Sequence, residues 1–152
     1  MGKARFLVMA ALLGAVGVGG AVAEEKATGV VAVREAAMKA NADHMTAIKA
    51  ILTEYPELLG QVEAHADAIK EMAEYTPAMF PPGSDQAPTS ALPPVWSDVA
   101  GFKAAAEKAE GLAEKLADAA ESGDAKATLA AFATLGKEGC GGCHSTFRKK
   151  ES

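Results

Sequence analysis

The sequence lacks several features by which common protein classes are recognised. No segment shows the alternating apolar and polar residues of a half-buried β-strand. The chain has no basic cluster and a net charge of −5, which argues against nucleic acid and anionic membrane surfaces as partners. It also contains no Ser/His/Asp set, no pair of carboxylates on one helix face and no phosphate-binding glycine loop. The sequence therefore predicts an all-helical protein that is not an enzyme.

The N-terminus has the pattern of an export signal. Two basic residues precede an apolar stretch at positions 6–18, and Ala-Val-Ala at 21–23 supplies the small residues that signal peptidase requires. The apolar stretch is shorter than the roughly 20 residues of a transmembrane helix. Residues 1–23 are therefore predicted to be a cleaved signal peptide, and residues 24–152 a single domain in the periplasm without a membrane anchor.

Four stretches of the remaining chain have the apolar spacing of amphipathic helices. The first predicted apolar face consists of Val31, Met38, Met45 and Leu52, and the second of Leu59, Val62, Ala66, Ile69 and Ala73. The third comprises Phe102, Ala105, Ala109, Leu112, Leu116 and Ala119, and the fourth Leu129, Phe132, Gly136, Cys140, Cys143 and Phe147. This pattern predicts an antiparallel four-helix bundle.

The connections between these helices follow from proline and glycine. Pro56 should end the first helix, and Gly123 and Asp124 should separate the third helix from the fourth as a stop and an N-cap. Residues 77–94 hold six of the seven prolines and should form a long loop, a crossover or a lid. Aromatic residues make up only 5% of the chain, so a large apolar cofactor would supply bulk that the core lacks.

The two cysteines are separated by two glycines and followed directly by histidine, in the segment KEGCGGCHSTFRKK at residues 137–150. Cys-x-x-Cys-His is the attachment pattern of a c-type haem. On a helix, Cys140 and Cys143 share one face and can add to the two vinyl groups, and His144 reaches the iron from the same side. The sequence therefore predicts one covalent haem c near the C-terminus, with His144 as an iron ligand.

Three other interpretations of this motif fit less well. A thioredoxin-like dithiol stands near the start of a helix that follows a strand, and no strand is predicted here. A structural zinc site needs four ligands, for which only His44 and His65 could join the motif. A plain disulfide, which an exported protein would favour, leaves His144 without a role.

The whole mature chain resembles the cytochromes c′, the class II c-type cytochromes. The resemblance is carried by the C-terminal CGGCHSTFRKK, by REAAMKANADHMTAI in the first helix and by ALPPVWSDVAGF before the third. Ordinary class I cytochromes c carry the haem motif near the N-terminus instead. The resemblance implies a four-helix bundle around one haem, and often a homodimer formed through the first two helices.

The resemblance also implies which residues contact the haem. The family's distal position lies four residues after an arginine of the first helix, which places Met38 there after Arg34. A methionine at this position is similar to the low-spin members, in which its thioether is the sixth iron ligand. Met38 could instead be an ordinary core residue, since methionine fills irregular gaps.

Two arginines are further candidates for haem contacts. Arg34 lies on a face that should be apolar, so its charge needs a partner. A haem propionate would serve, unless the side chain reaches solvent at the end of the bundle. Arg148, four residues after His144, could border the proximal side or be a solvated cation. Trp96 and Phe147 are expected to pack near the haem, and His44 and His65 are expected at the surface.

Two functions follow from these expectations. With His144 and Met38 both bound to iron, the protein would be a one-electron carrier between redox partner proteins, because Met/His ligation raises the haem potential. With an open or displaceable distal position, it would bind a diatomic gas such as nitric oxide, as high-spin cytochromes c′ do.

Overall fold

The computed structural model describes residues 29–86 and 88–150, and within these it is a four-helix bundle. The predicted signal peptide, residues 1–23, lies outside the described residues. The helices are α1 (Gly29–Glu54), α2 (Val62–Tyr75), α3 (Pro94–Ser97), α4 (Val99–Glu121), α5 (Ala125–Thr134) and α6 (Gly141–Phe147). A π-helical turn, Leu135–Cys140, joins α5 to α6, so these three segments form the fourth helix of the bundle. No helix in the described part of the chain has both the length and the apolar character needed to span a bilayer.

The first two bundle helices are joined without a long loop. Helix α1 ends at Glu54, and Pro56 begins a 3₁₀-helix (Pro56–Gln61) that leads directly into α2. Proline suits this position because its missing N–H would have no partner in the first turn. The predicted end of the first helix at Pro56 is confirmed.

The proline-rich segment is irregular but is tied to the C-terminus of the bundle. The amide of Leu92 donates to the carbonyl of Phe147 at 2.9 Å, and the amide of Lys149 donates to the carbonyl of Ser90 at 2.8 Å. Helix α4 then begins after Asp98, whose carboxylate accepts from the amide of Gly101 at 3.0 Å. The predicted crossover is therefore held against the end of the helix that carries the Cys-x-x-Cys-His motif.

The turn between the third and fourth bundle helices contains the predicted helix stop and the predicted N-cap. Gly123 adopts a left-handed conformation with φ of +73°, which is favourable only for glycine. Asp124 caps α5 by accepting hydrogen bonds from the amides of Lys126 (2.9 Å) and Ala127 (3.0 Å). Both predicted roles are confirmed.

The predicted apolar face of the fourth bundle helix was wrong at its start. Leu129 is 49% exposed, and the buried residue is its neighbour Thr128, whose hydroxyl donates to the carbonyl of Asp124 at 2.8 Å. The cause is the π-helical turn, in which the amide of Gly141 bonds the carbonyl of Gly136 five residues earlier. A π-turn holds one residue more than an α-helical turn. Counting back from the motif at α-helical spacing therefore gives a position one residue too late.

Two separate apolar clusters form the core. The larger lies between the bundle helices and consists of Ile48, Ile51, Val62, Ala66, Ile69, Ala113, Leu116, Ala117, Ala120 and Leu135. The smaller is built on Val95, Phe102 and Phe147, with Phe80 and Trp96 packed against it. Its rings meet edge to face, with centroids 5.0 Å apart for Phe80 and Phe102 and 5.2 Å for Phe102 and Phe147. The predicted packing roles of Trp96 and Phe147 are consistent with this cluster.

Candidate haem-binding site

Two adjoining cavities open inside the bundle between the two apolar clusters. The larger has a volume of about 370 Å³ and the smaller about 250 Å³. The two share the lining residues Met38, Thr76, Cys143, His144 and Arg148. Two neighbouring cavities lined by aliphatic and aromatic side chains with a few polar groups are typical of a cofactor site in a helix bundle.

The motif predicted to attach haem lies on the wall of this space. Cys140 lines the larger cavity, and Cys143 and His144 line both. All three residues are half-buried, and the two cysteines are free thiols. The structure therefore brings the thiols and the imidazole of Cys140, Cys143 and His144 to one cavity, as the predicted spacing on a helix requires.

The surroundings of the two thiols argue against two of the alternative interpretations of the motif, a catalytic dithiol and a zinc site. Burial raises the pKa of Cys140 above its usual value, and burial together with the neighbouring Cys140 raises the pKa of Cys143. Catalytic dithiols require the opposite shift, because the thiolate is the nucleophile. Among the described residues, no group of three or more His, Cys, Asp and Glu side chains is arranged to hold a metal ion, which also argues against zinc.

Glycine allows the π-helical turn to lie close to α4. A Cβ atom on Gly139 would stand 3.0 Å from Cδ1 of Leu135 and 3.4 Å from Cα of Ala109. The first distance is tight, so a Cβ here would require the Leu135 side chain to shift by a few tenths of an ångström, and the second is the near limit of ordinary contact with α4. Gly139 thereby lets the turn that carries Cys140 pack closely against α4.

Met38 lies on the wall formed by α1. It is half-buried and lines both cavities, together with His144. Met38 therefore lines the same space as His144, and both its distal position and its bond to iron stay predictions. Met45, expected in the core, packs against the larger cluster and also lines the larger cavity.

The buried charge of Arg34 has partners within the protein. Its side chain is 4% exposed, its Nε donates to the carbonyl of Met79 at 2.5 Å, and its guanidinium also donates to the carbonyl and the hydroxyl of Ser84. The guanidinium carbon lies 4.2 Å from the ring centroid of Phe80 and 5.6 Å from that of Trp96, a cation–π arrangement. Burial lowers the pKa of Arg34, which nevertheless stays charged because an arginine pKa begins above 12.

These contacts change the role predicted for Arg34. The oxygens of the proline-rich segment, which the sequence analysis did not consider, supply the partners that a propionate was expected to provide. Arg34 still lines the smaller cavity, so a contact with the cofactor stays a prediction. Arg148 lines both cavities and is half-buried, which excludes the interpretation as a fully solvated cation.

His44 and His65 were expected to be surface histidines, but both are half-buried and they form a pair. Their Nδ1 atoms are 2.8 Å apart, their rings pack with centroids 5.1 Å apart, and both side chains are half-buried between α1 and α2. Such a hydrogen bond requires one ring to donate and the other to accept, so at least one ring must be neutral. Sequence spacing could not reveal this pair because the two residues lie on different helices.

The histidine pair should make the stability of the bundle depend on pH. Burial, and to a lesser extent the neighbouring His44, lowers the pKa of His65. The neutral ring is therefore favoured by folding, and its contribution is full above the unfolded pKa of about 6.5. The contribution is lost as the pH falls below 6.5 and through the lower folded pKa. Thermal unfolding of the haem-loaded protein between pH 7.5 and 5 should show this loss as a falling midpoint.

A His65→Gln variant tests the assignment. Its unfolding midpoint should be lower at pH 7.5 but should change less over the same pH range, and His44→Gln should behave alike because the two rings form one pair. A pH dependence identical in the wild type and both variants would show that other groups control acid stability.

Three residues of the cavity wall were not identified as site residues from the sequence. Thr76 and Phe80 come from the end of α2 and the segment after it, and Asn41 comes from the same face of α1 as Met38. Asn41 stands three residues after Met38 in the first amphipathic segment, and a polar residue at such a position was the signal available in the sequence. Thr76 and Phe80 gave no such signal, because the sequence at the end of α2 and beyond it has no periodic pattern of apolar residues.

Comparison with known proteins identifies the family of this chain. The family model described as cytochrome c′ matches residues 29–148. A cytochrome c′ of Pararhodospirillum photometricum is 43% identical over 117 residues, covering 76% of this chain and 93% of that protein. A solved cytochrome c′ described as having an unusual ligand-controlled dimer dissociation superposes with a TM-score of 0.71 at 31% identity, covering 80% of this chain and 95% of that one.

A second solved structure is that of a relative with a bound diatomic gas. It is a ferrous variant of cytochrome c prime from Alcaligenes xylosoxidans with bound NO, with a TM-score of 0.71 and 29% identity over 80% of this chain and 94% of that one. The free thiols, the imidazole and the bounded apolar space suit a covalent haem. The chain therefore belongs to the cytochrome c′ family and carries that family's single covalently attached haem c.

Proposed function

We propose that this protein binds nitric oxide on the haem face opposite His144. The observation that carries the proposal is the cavity wall formed by α1, where Met38 and Asn41 border a space that also adjoins His144. A haem held there supplies an iron that can bind a diatomic gas. The relative from Alcaligenes xylosoxidans, which was solved with bound NO, supports the same ligand for this chain.

The residues that line the cavities have different roles in this proposal. Cys140 and Cys143 would hold the haem through thioether bonds, and the imidazole of His144 would bind its iron. Met38 stands on the opposite wall, where a flexible thioether limits the space available to a gas molecule. In this proposal the site binds a ligand and does not catalyse a reaction, so the protein has a binding role rather than an enzymatic one.

A second function, one-electron transfer between partner proteins, is favoured by Met38 itself. If its thioether bound the iron together with the imidazole of His144, the two residues would remain bound in both oxidation states, which would suit a carrier and would raise the potential. The two functions differ in whether gas must displace Met38.

The proposal includes a cellular location and an oligomeric state. Export to the periplasm through residues 1–23 would place it where haem c is attached. A homodimer, which the family resemblance implies would form through α1 and α2, would couple gas binding to assembly if it behaved as the solved relative described with ligand-controlled dimer dissociation.

Nitric oxide titration of the reduced holoprotein tests the proposed function. We expect one molecule to bind per haem, with an optical change that saturates at equal concentrations and an electron paramagnetic resonance signal of a ferrous NO complex. A reduced protein that keeps a low-spin spectrum and remains unchanged by excess nitric oxide would instead support the electron carrier.

A further inference from the structure

Phe80 belongs to the segment that follows α2, and its ring forms part of the wall of the smaller cavity. Met38 and His144 line the same cavity, so Phe80 borders the space in which we propose that nitric oxide binds. Residues 76–84 contain no helix apart from one 3₁₀-turn (Thr76–Met79). The position of the Phe80 ring therefore depends on what holds this segment to the bundle.

Arg34 holds the 76–84 segment to α1 at two points. Its Nε donates to the carbonyl of Met79, the residue directly before Phe80, at 2.5 Å. Its terminal nitrogens donate to the carbonyl of Ser84 at 3.2 Å and to the hydroxyl of the same residue. Hydrogen bonds from a charged donor are stronger than those between neutral groups. One buried side chain of α1 therefore fastens the segment on both sides of Phe80.

The guanidinium of Arg34 also packs directly on the ring of Phe80. Its central carbon lies 4.2 Å from the ring centroid, within the range of a cation–π interaction. The ring meets Trp96 and Phe102 edge to face, with centroids 6.0 Å and 5.0 Å away. Trp96 is connected to the same polar group, because its Nε1 donates to the hydroxyl of Ser84 at 3.3 Å. Arg34, Ser84 and Trp96 together therefore determine where the Phe80 ring lies.

Ser84 is the centre of this polar group but lines neither of the two cavities. Its hydroxyl accepts from Arg34 and Trp96 and donates to the carbonyl of Pro81 at 2.6 Å. A single hydroxyl thus joins α1, the 76–84 segment and α3. Any effect of Ser84 on ligand binding must therefore pass through the residues that it holds.

We infer that Arg34 is a positioning residue for ligand entry, which holds the 76–84 segment against α1 and so keeps the Phe80 ring where it limits the passage of a diatomic gas. This inference rests on the proposed function. The gas enters when the segment is released from α1, so its association rate follows the population of the released segment. Entry and exit use the same path. Loosening the segment therefore raises both rates by the same factor and leaves the affinity unchanged.

The experiment measures nitric oxide binding to reduced holoprotein that carries Met38→Ala, in which displacement of a methionine from iron cannot limit the rate. Nitric oxide bonds to ferrous haem at almost every encounter, so its association rate measures entry. Adding Ser84→Ala should raise the association and dissociation rates about fivefold each, the factor for one ordinary hydrogen bond. Flash photolysis measures the first rate, and trapping of the released gas measures the second.

Ser97→Ala is the matched control for Ser84→Ala. The hydroxyl of Ser97 is exposed on α3, donates to the carbonyl of Pro93 at 3.3 Å and lines neither of the two cavities. Its removal takes away one serine hydroxyl close to Trp96 without touching the bonds of Arg34. Both rates should remain those of the Met38→Ala protein.

Arg34→Lys tests the arginine itself. Lysine keeps the positive charge, but its single nitrogen cannot reach the oxygens of Met79 and Ser84 as the planar guanidinium does. Both rates should rise by more than they do in Ser84→Ala. Because the two residues act through the same bonds, adding Ser84→Ala to Arg34→Lys should raise the rates by less than Ser84→Ala does alone.

The outcomes separate this inference from the proposed function. If nitric oxide binds but Ser84→Ala leaves both rates unchanged, or changes their ratio instead of raising them together, the role of Arg34 is overturned and gas binding stands. Rates in Arg34→Lys equal to those of the Met38→Ala protein overturn it as well. If nitric oxide binds to no variant, the proposed function fails, and the inference fails with it.

Discussion

A Cys140→Ser/Cys143→Ser variant will lose covalently attached haem completely. Cys140 and Cys143 are the only two cysteines among the described residues, and a serine hydroxyl does not form a thioether bond with a haem vinyl group. On a denaturing gel stained for haem peroxidase activity, the wild-type band should stain and the variant band should not. The intact mass of the variant should equal that of the bare polypeptide.

The single variants and a neighbouring control make this result specific. Cys140→Ser and Cys143→Ser should each keep one attachment point and retain haem less well than the wild type. Ser145→Ala, which removes an exposed hydroxyl directly after the motif, should retain haem fully. Full haem staining of the double variant would contradict covalent attachment through the motif.

Replacing Met38 by alanine should strengthen gas binding, because the shorter side chain opens the cavity wall formed by α1. We expect faster and tighter binding of nitric oxide and carbon monoxide, measured by stopped flow on the reduced holoprotein. If Met38 binds iron in the wild type, the variant will also change from low spin to high spin, and its potential will fall. The fold should survive, since truncating a buried methionine costs about 2–5 kcal/mol and Met38 is only half-buried.

Met72→Ala is the matched control for this prediction. Met72 is half-buried on α2 and does not line either cavity, so its truncation should lower stability without changing gas binding. Gas binding that is the same in the wild type and in Met38→Ala would show that Met38 neither binds iron nor shields the distal side.

The parts of the fold that depend on local sequence could be predicted. Pro56, Gly123 and Asp124 act through their own backbone or the next few amides, so their roles follow from residue type. The haem motif was equally predictable, because the spacing of Cys140, Cys143 and His144 on a helix places them together. Periodicity gave the first three helices for the same reason.

What could not be predicted depends on contacts between distant segments or on a change of helix type. The partners of Arg34 lie about 50 residues away in a segment without periodicity, and His44 meets His65 only after α1 packs on α2. Leu129 was misplaced because the apolar pattern is compatible with an unbroken α-helix. Nothing in the composition of residues 135–140 distinguishes a π-helical turn from an α-helix that contains glycine.

The π-helical turn also determines which way the haem motif faces. Each residue of an α-helix turns the chain by about 100°. With ordinary α-helical pitch through residues 135–140, the same motif would be rotated by about that angle about the helix axis, and His144 would leave the cavity. Conversely, the loss of one residue within the turn could restore ordinary pitch while both ends keep their present directions. The length of the chain at this point, and not only the identity of the motif, is therefore part of what orients the iron ligand.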